Sequence, residues 1–331
     1  DITLNIGQNQ NYLLGNPYAS ALDVYEFLLD NLPSTITAPD GRKGRNTGQP
    51  FNGTLYYWSH FAGSTHILEE YIGGYAYYSF AGSTPAYSSD WRIDNSNPNA
   101  SDSKIAQRYI PVAQGFFVNS SGGNFSGNIY FNNNQRRFAK ESSDPSIFLQ
   151  QEEREKGQLS SIEADKRAKL RLKFKSPAGY HRQILVTRDE NSSSDFDLGY
   201  DAPLIENNKE DMYWIVNDSP YVIQAVPDFE QERVLPIGFK TKEGGEFKIQ
   251  IDSTENWPSE IPIYLKDKVV DSIQEITKQP YTATAEAGEI KDRFEIVFFK
   301  PVAEDPVIDP EIPEVPVVDG LVGISYSHFS S

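Results

Sequence analysis

The most constraining feature of this chain is an alternation of apolar and polar residues with a period of two. Over residues 168–175, Leu170, Leu172 and Phe174 fall on one face, while Lys169, Arg171, Lys173 and Lys175 fall on the other. Successive side chains of an extended chain point to opposite sides, so this pattern predicts a strand with one face buried and one in water. Phe247, Ile249 and Ile251 repeat it, as do Ile261, Ile263 and Leu265. Runs at 183–187, 212–216, 221–226 and 293–299 are strand-like and bounded by Gly, Pro, Asn or Asp. Earlier in the chain, 10–14, 54–58, 75–80, 108–118 and 126–131 read as strands, with a turn at Gly122-Gly123-Asn124. One segment, 20–31, reads as a helix. Ser20 is its expected cap, Asp23 completes a capping box, Leu22, Tyr25, Leu28 and Leu29 form its apolar face, and Pro33 ends it.

Many short strands with polar turns predict an all-β protein of two tandem antiparallel β-sandwiches, jelly-roll-like or immunoglobulin-like. The expected divisions are 1–150 and 168–301, joined by a charged linker over 151–167. Residues 302–318 alternate Pro306, Pro310, Pro313 and Pro316 with acids and read as a stiff, extended spacer. Residues 319–331 turn apolar again and read as the first strand of a further domain. Charge is uneven along the chain: residues 1–150 carry 9 basic and 12 acidic side chains, and residues 151–331 carry 21 and 35. The net charge of −17 argues against a general grip on nucleic acid or anionic lipid. No apolar run is long enough to span a bilayer as a helix. A chain opening on Asp1 without a basic and then apolar leader reads as a processed product or an excised piece.

The catalytic inventory is sparse. Cysteine is absent, which removes disulfides, thiolate metal sites and cysteine nucleophiles. The four histidines, His60, His66, His181 and His328, stand in no metal-binding spacing and read as surface or structural residues. No GxSxG, Walker loop or dinucleotide fingerprint occurs, and Gly41 to Gly48 (GRKGRNTG) reads as a flexible loop. The 47 acidic residues leave open a pair of carboxylates of glycosidase type. Asp195, Asp197 and Asp201, with Asp189 and Glu190 upstream, suit either Ca²⁺ ligation or turn-forming hydrogen bonds. No other cofactor is implied.

Residues 56–91 are dense in aromatics. In a strand the neighbours Tyr56, Tyr57 and Trp58, or Tyr77 and Tyr78, cannot all face one core. Tyr56, Tyr57, Trp58, Tyr77, Tyr78 and Trp91 are therefore candidates for a surface that binds sugar rings or protein; cover by loops or by the other domain is the alternative.

Several segments resemble modules of secreted and cell-surface proteins of Bacteroidetes that precede a type IX secretion sorting domain. In the second half these are GYHRQIL (179–185), FDLGYDA (196–202), DMYWIV (211–216), PYVIQA (220–225), LPIG (235–238), IYLKDK (263–268) and YTATAEAGEIKDRFEIVF (281–298). In the first half they are LLGNPYASALD (13–23), GTLYYWSH (53–60) and YIPVAQGFFV (109–118). The tail from Val318 resembles the start of a sorting domain, with Gly320, Leu321, Val322, Ile324 and Tyr326 as the implied contacts with the export machinery. The resemblance implies a non-catalytic, adhesin-like region at the outer-membrane surface of a Gram-negative bacterium or released from it. Its implied partners are the type IX apparatus and its outer-membrane barrel, engaged by strand addition. The triplets Asp252-Ser253-Thr254 and Asp271-Ser272-Ile273 fit the O-glycosylation pattern of that phylum, marking Ser253 and Ser272. The alternatives are a carbohydrate-binding module using the 56–91 aromatics, which would take surface glycans, and part of a glycoside hydrolase.

Overall fold

The computed structural model describes residues 1–61, 66–67, 70, 72–90, 93, 105–138 and 165–299. Among them the protein is all-β apart from one α-helix, Val24–Asn31, and a 3₁₀ turn at Asn133–Gln135. The helix starts later than the sequence suggests. Residues Ala21–Asp23 are drawn into a short strand between Tyr109–Ile110 and Arg136–Arg137, so Asp23 rather than Ser20 is the cap, its carboxylate accepting from the Tyr25 amide. The expected strand over 108–118 is also broken. It divides into Tyr109–Ile110 and Gly115–Asn119 around a turn in which Ala113 takes φ 60°.

The first half is built on a five-stranded antiparallel sheet in the order Asn11–Gly15, Gly115–Asn119, Leu55–Phe61, Ile72–Ser79, Gly82–Thr84. One face carries Leu14, Leu55, Tyr57, Ala76, Phe116 and Val118, all buried. The helix packs Phe27 against this face, 5.5 Å from Phe116, with Phe51 and Phe131 closing around it. Strand Ile2–Ile6 pairs with Gly127–Phe131 to form a separate ribbon.

In the second half the strands join in a single hydrogen-bonded path. It runs Ser272–Glu275, Tyr264–Asp267, Gly288–Val297, Val234–Thr241, Asp211–Val216, Ser219–Val226, His181–Arg188, Lys169–Lys175, Gly245–Glu255 and Tyr281–Ala285, with Ala202–Pro203 paired to Ser219–Val226. All pairs are antiparallel except His181–Arg188 with Ser219–Val226, which is parallel. The path curls until its ends meet. The Tyr281 hydroxyl on the last strand donates to Asp267 near the other end, and the rings of Phe174, Phe239, Phe247 and Phe294 fill the interior. A nearly closed sheet leaves few unpaired backbone groups at its edges.

Residues 1–299 form one compact unit. The core of the first half takes in Leu185, Tyr200, Ala202, Val222, Ile223 and Ala225 from the second. This shared core alters one detail of the sequence reading. The basic face of Lys169–Lys175 is not open to water at its start: Lys169 and Arg171 are buried, paired with Glu255, and Arg171 also donates to the Ser83 carbonyl of the first half. The join is made largely through backbone carbonyls. Thr187 donates to Ala81, Ser79 to Tyr200, and the Phe80 amide to Gly199. Of the 151–167 segment only Asp165–Arg167 is described. Arg167 is anchored there to Asp165, Asp189 and the Phe80 carbonyl. The spacer, 302–318, and the tail, 319–331, lie outside the described residues.

Candidate functional site

The aromatic text divides according to strand alternation. Tyr57 faces the first core and is buried. Tyr56 and Trp58 face the opposite side, but only Trp58 stays open, at 41% exposure. Tyr56 is covered by the second half, its hydroxyl within 3.4 Å of the Pro203 carbonyl and accepting from Asn52. Tyr77, opposite Tyr56 in register, is buried by the same segment and donates to Glu206. Tyr56, Tyr57 and Tyr77 are thus core residues and not a contact surface. Tyr57 is taken by the first core; Tyr56 and Tyr77 are taken because the second half docks on that end of the sheet, a long-range event that local alternation does not encode. Tyr78 is half-buried, and Trp91 lies outside the described residues.

What remains open on this sheet face is a strip. Leu13 lies opposite Phe117 in register, Phe117 meets Tyr75 edge to face at 5.6 Å, and Tyr75 meets Trp58 at 5.0 Å. Gly73 lies beneath the indole; a Cβ there would sit 2.4 Å from Trp58 Cζ2. The glycine leaves room for the ring to approach the backbone this closely.

The covered end of the sheet carries a buried charge cluster. Arg182 is 1% exposed; it donates through Nε and Nη2 to Asp211 (2.7 and 2.8 Å) and through Nη2 to Glu206 (2.7 Å). Glu206 also accepts from the Tyr75 amide and the Tyr77 hydroxyl, so one carboxylate ties the arginine to the first half. Burial acts to depress the arginine, but Asp211 and Glu206 outweigh it and hold the guanidinium charged. Burial also pushes the Glu206 carboxyl above the usual range, against the pull of Arg182. The guanidinium carbon lies 5.7 Å from the Tyr77 ring centre and 4.9 Å from that of Tyr87. Tyr87 in turn stacks on Tyr180 with centroids 5.2 Å apart and planes 2° apart.

This column ends in a cleft of about 650 Å³ where the two halves meet. Tyr87 and Tyr180 form part of its wall, with Gly73, Asn207 and Asn208. Glu210 is buried there and joins separate segments: it accepts from the Ala178 amide, the Thr241 hydroxyl and the Lys242 amide. Sequence reading missed Tyr180. The available signal was its place after Pro177-Ala178-Gly179, at the tip of a turn where its own strand cannot cover it.

The remaining candidates are dispersed. Asp197 accepts from the Ser193 amide and hydroxyl, while Asp201 accepts from the amides of Asp197 and Ala225. Burial raises both carboxyls above their ordinary value, Asp201 well above it, against the opposing pull of those bonds. Asp195 lies at the surface of the same turn. Among the described residues no group of three or more His, Asp or Glu is placed to hold a metal. Ser253 is exposed beside a bulge opposite Arg171, and Ser272 is half-buried at one end of the curled sheet. His60 and His66 are exposed, and His181 bridges to Ser88 through its backbone. Residues 320–326 lie outside the described residues. No described helix is long and apolar enough to cross a membrane.

A family model described as "Domain of unknown function (DUF8693)" matches residues 2–298. Neither the curated proteins nor the solved structures gave a match.

Proposed function

The chain belongs to the DUF8693 family, a domain of unknown function, and from that premise we propose that it is a non-catalytic region of a secreted or cell-surface protein of adhesin type, exported by the type IX secretion machinery. Its building blocks in this reading are two tandem sandwich-like modules, 1–150 and 168–301, that share part of one core. The segment resemblances set out above supply the export route. The non-catalytic part is carried by one observation. The buried carboxylates among the described residues, Asp23, Asp30, Asp189, Asp201, Glu210, Asp211 and Asp267, each accept hydrogen bonds from arginine, amide or hydroxyl groups of the scaffold. Carboxylates committed in this way serve as structural joints, whereas general acid–base chemistry needs a group within reach of a substrate proton. Deleting 319–331 together with anything that follows tests the export reading. Loss of surface display with an unchanged fold is the expected result, and normal display of the truncated protein refutes it.

A second reading, carbohydrate binding on the open sheet face, is favoured by Trp58. It presents an indole at 41% exposure that Tyr75 and Gly73 hold in place. A fixed, half-open indole stacks on a sugar ring at low entropic cost. Quenching of tryptophan fluorescence by soluble polysaccharide, absent in Trp58→Ala, is the test.

A further inference from the structure

We propose that the cleft at the Tyr87–Tyr180 stack, which meets the open sheet face at Gly73 beneath Trp58, is a binding site for a neutral saccharide. The inference is independent of the export reading; it rests on the carbohydrate-binding one and moves the main contact from Trp58 to Tyr180.

The argument begins with rigidity. One face of the Tyr180 ring is seated on Tyr87, which rests on the Arg182 guanidinium, which is pinned by Asp211 and Glu206. Tyr180 overlaps Tyr87 in an offset parallel stack and is nevertheless 37% exposed, so part of the ring is open to the cleft. A platform already ordered in the free protein avoids the side-chain ordering cost that weakens most contacts. The walls are preformed as well. Glu210 holds the turn at Ala178 and the start of the turn at Lys242 against its own loop, so three segments lining the cleft share one buried carboxylate.

Size and chemistry select the ligand. About 650 Å³ lies within the range of small-molecule sites. Around the platform stand the amides of Asn207 and Asn208; Asn208 Nδ2 donates to Asp211 and Asn207 Oδ1 accepts from Lys240, which leaves the Asn207 amide N–H groups as donors and the Asn208 carbonyl as an acceptor. The charged lining is balanced, with Lys209 and Lys242 against Glu210 and Glu243. A balanced lining gives no net attraction to a phosphate, sulfate or uronate, and the protein as a whole repels anions at a net charge of −17. A ring with an apolar C–H face and a rim of hydroxyls satisfies both the phenol platform and the amides. A neutral hexose or pentose chain of two or three units has that shape.

The test is affinity electrophoresis of the full chain in gels containing dextran, xylan, galactomannan or yeast mannan, with polygalacturonate and heparin as charged comparisons. Retardation by at least one neutral polysaccharide is expected. Tyr180→Ala should weaken it at least tenfold, and Tyr180→Phe should retain it. An unshifted melting temperature for Tyr180→Ala keeps the comparison valid, and titration calorimetry of Tyr180→Phe against the same polysaccharide supplies a check that does not depend on the alanine variant. No retardation by any neutral polysaccharide overturns the proposal, as does retardation by the charged ones alone. Retention by Tyr180→Ala with loss in Trp58→Ala also overturns it, by moving the binding to the sheet face.

Discussion

Gly53 and Gly199, from opposite halves of the protein, pass so closely that a Cβ on Gly53 would lie 2.5 Å from the Gly199 Cα. Both hold positive φ, 79° and 84°, the left-handed region that glycine alone enters freely. The contact sits beside Leu32 and Phe80, at the middle of the join.

Gly53→Ala is therefore expected to destabilise the whole body. Left-handed strain of about 1–2 kcal/mol adds to roughly 1–3 kcal/mol of overpacking against backbone that cannot yield. Urea unfolding should show a loss of about 2–5 kcal/mol in a single transition reported alike by signals from both halves. Two separated transitions in the parent protein would contradict the shared core.

Arg182→Met is expected to cost about 3–5 kcal/mol, because it leaves Asp211 and Glu206 buried without their counter-charge. Arg182→Lys should recover little, since a point charge cannot reproduce the forked contact with Asp211. Denaturant midpoints of the two variants give the comparison.

Acid should weaken the curled sheet through Asp267. Burial acts to raise this carboxyl, but Arg293 and the Tyr281 hydroxyl outweigh it, so its folded value lies below the ordinary one. A depressed carboxyl lends stability that is complete above its unfolded value, about 4, and drains away as pH falls through the folded value. Melting temperatures from pH 7 down to 2.5 should fall on the acid side. Asp267→Asn should start lower at pH 7 and fall less.

Trp58→Ala removes a half-open ring and should move the melting temperature by less than about 3 °C, equivalent to roughly 1 kcal/mol in a chain of this size. A larger drop would mean that the indole serves the sheet, through its cover over Gly73, more than any ligand.

If the natural protein carries O-linked sugar at the two marked triplets, occupancy should be higher at Ser253 than at Ser272. Ser253 is exposed beside a bulge, whereas Ser272 is half-buried and paired with Asp267. Peptide mass spectrometry of material purified from the producing cell measures both sites.

The strands were legible because alternation is a local signal; Lys169–Lys175 and Asp211–Val216 fall where their patterns put them. The helix was legible from its apolar spacing, though its cap was not, since Ala21–Asp23 is claimed by strands about 85 and 115 residues away. The same distance explains the aromatics. Nothing in Tyr56-Tyr57-Trp58 says that Pro203 and Glu206 will cover one end of the sheet and leave Trp58 bare. The Tyr87–Tyr180 column joins residues from separate halves, so no window of sequence contains it.

The strand Gly288–Val297 lies inside the curled path, zipped on one side to Val234–Thr241 and on the other to Tyr264–Asp267. Force arriving through residue 299 therefore meets two ladders loaded together and cannot unpick one bond at a time from a free border. Under a pull on residue 299, that seating makes the last described strand a mechanical anchor, with resistance that grows from its position and not from any added bond.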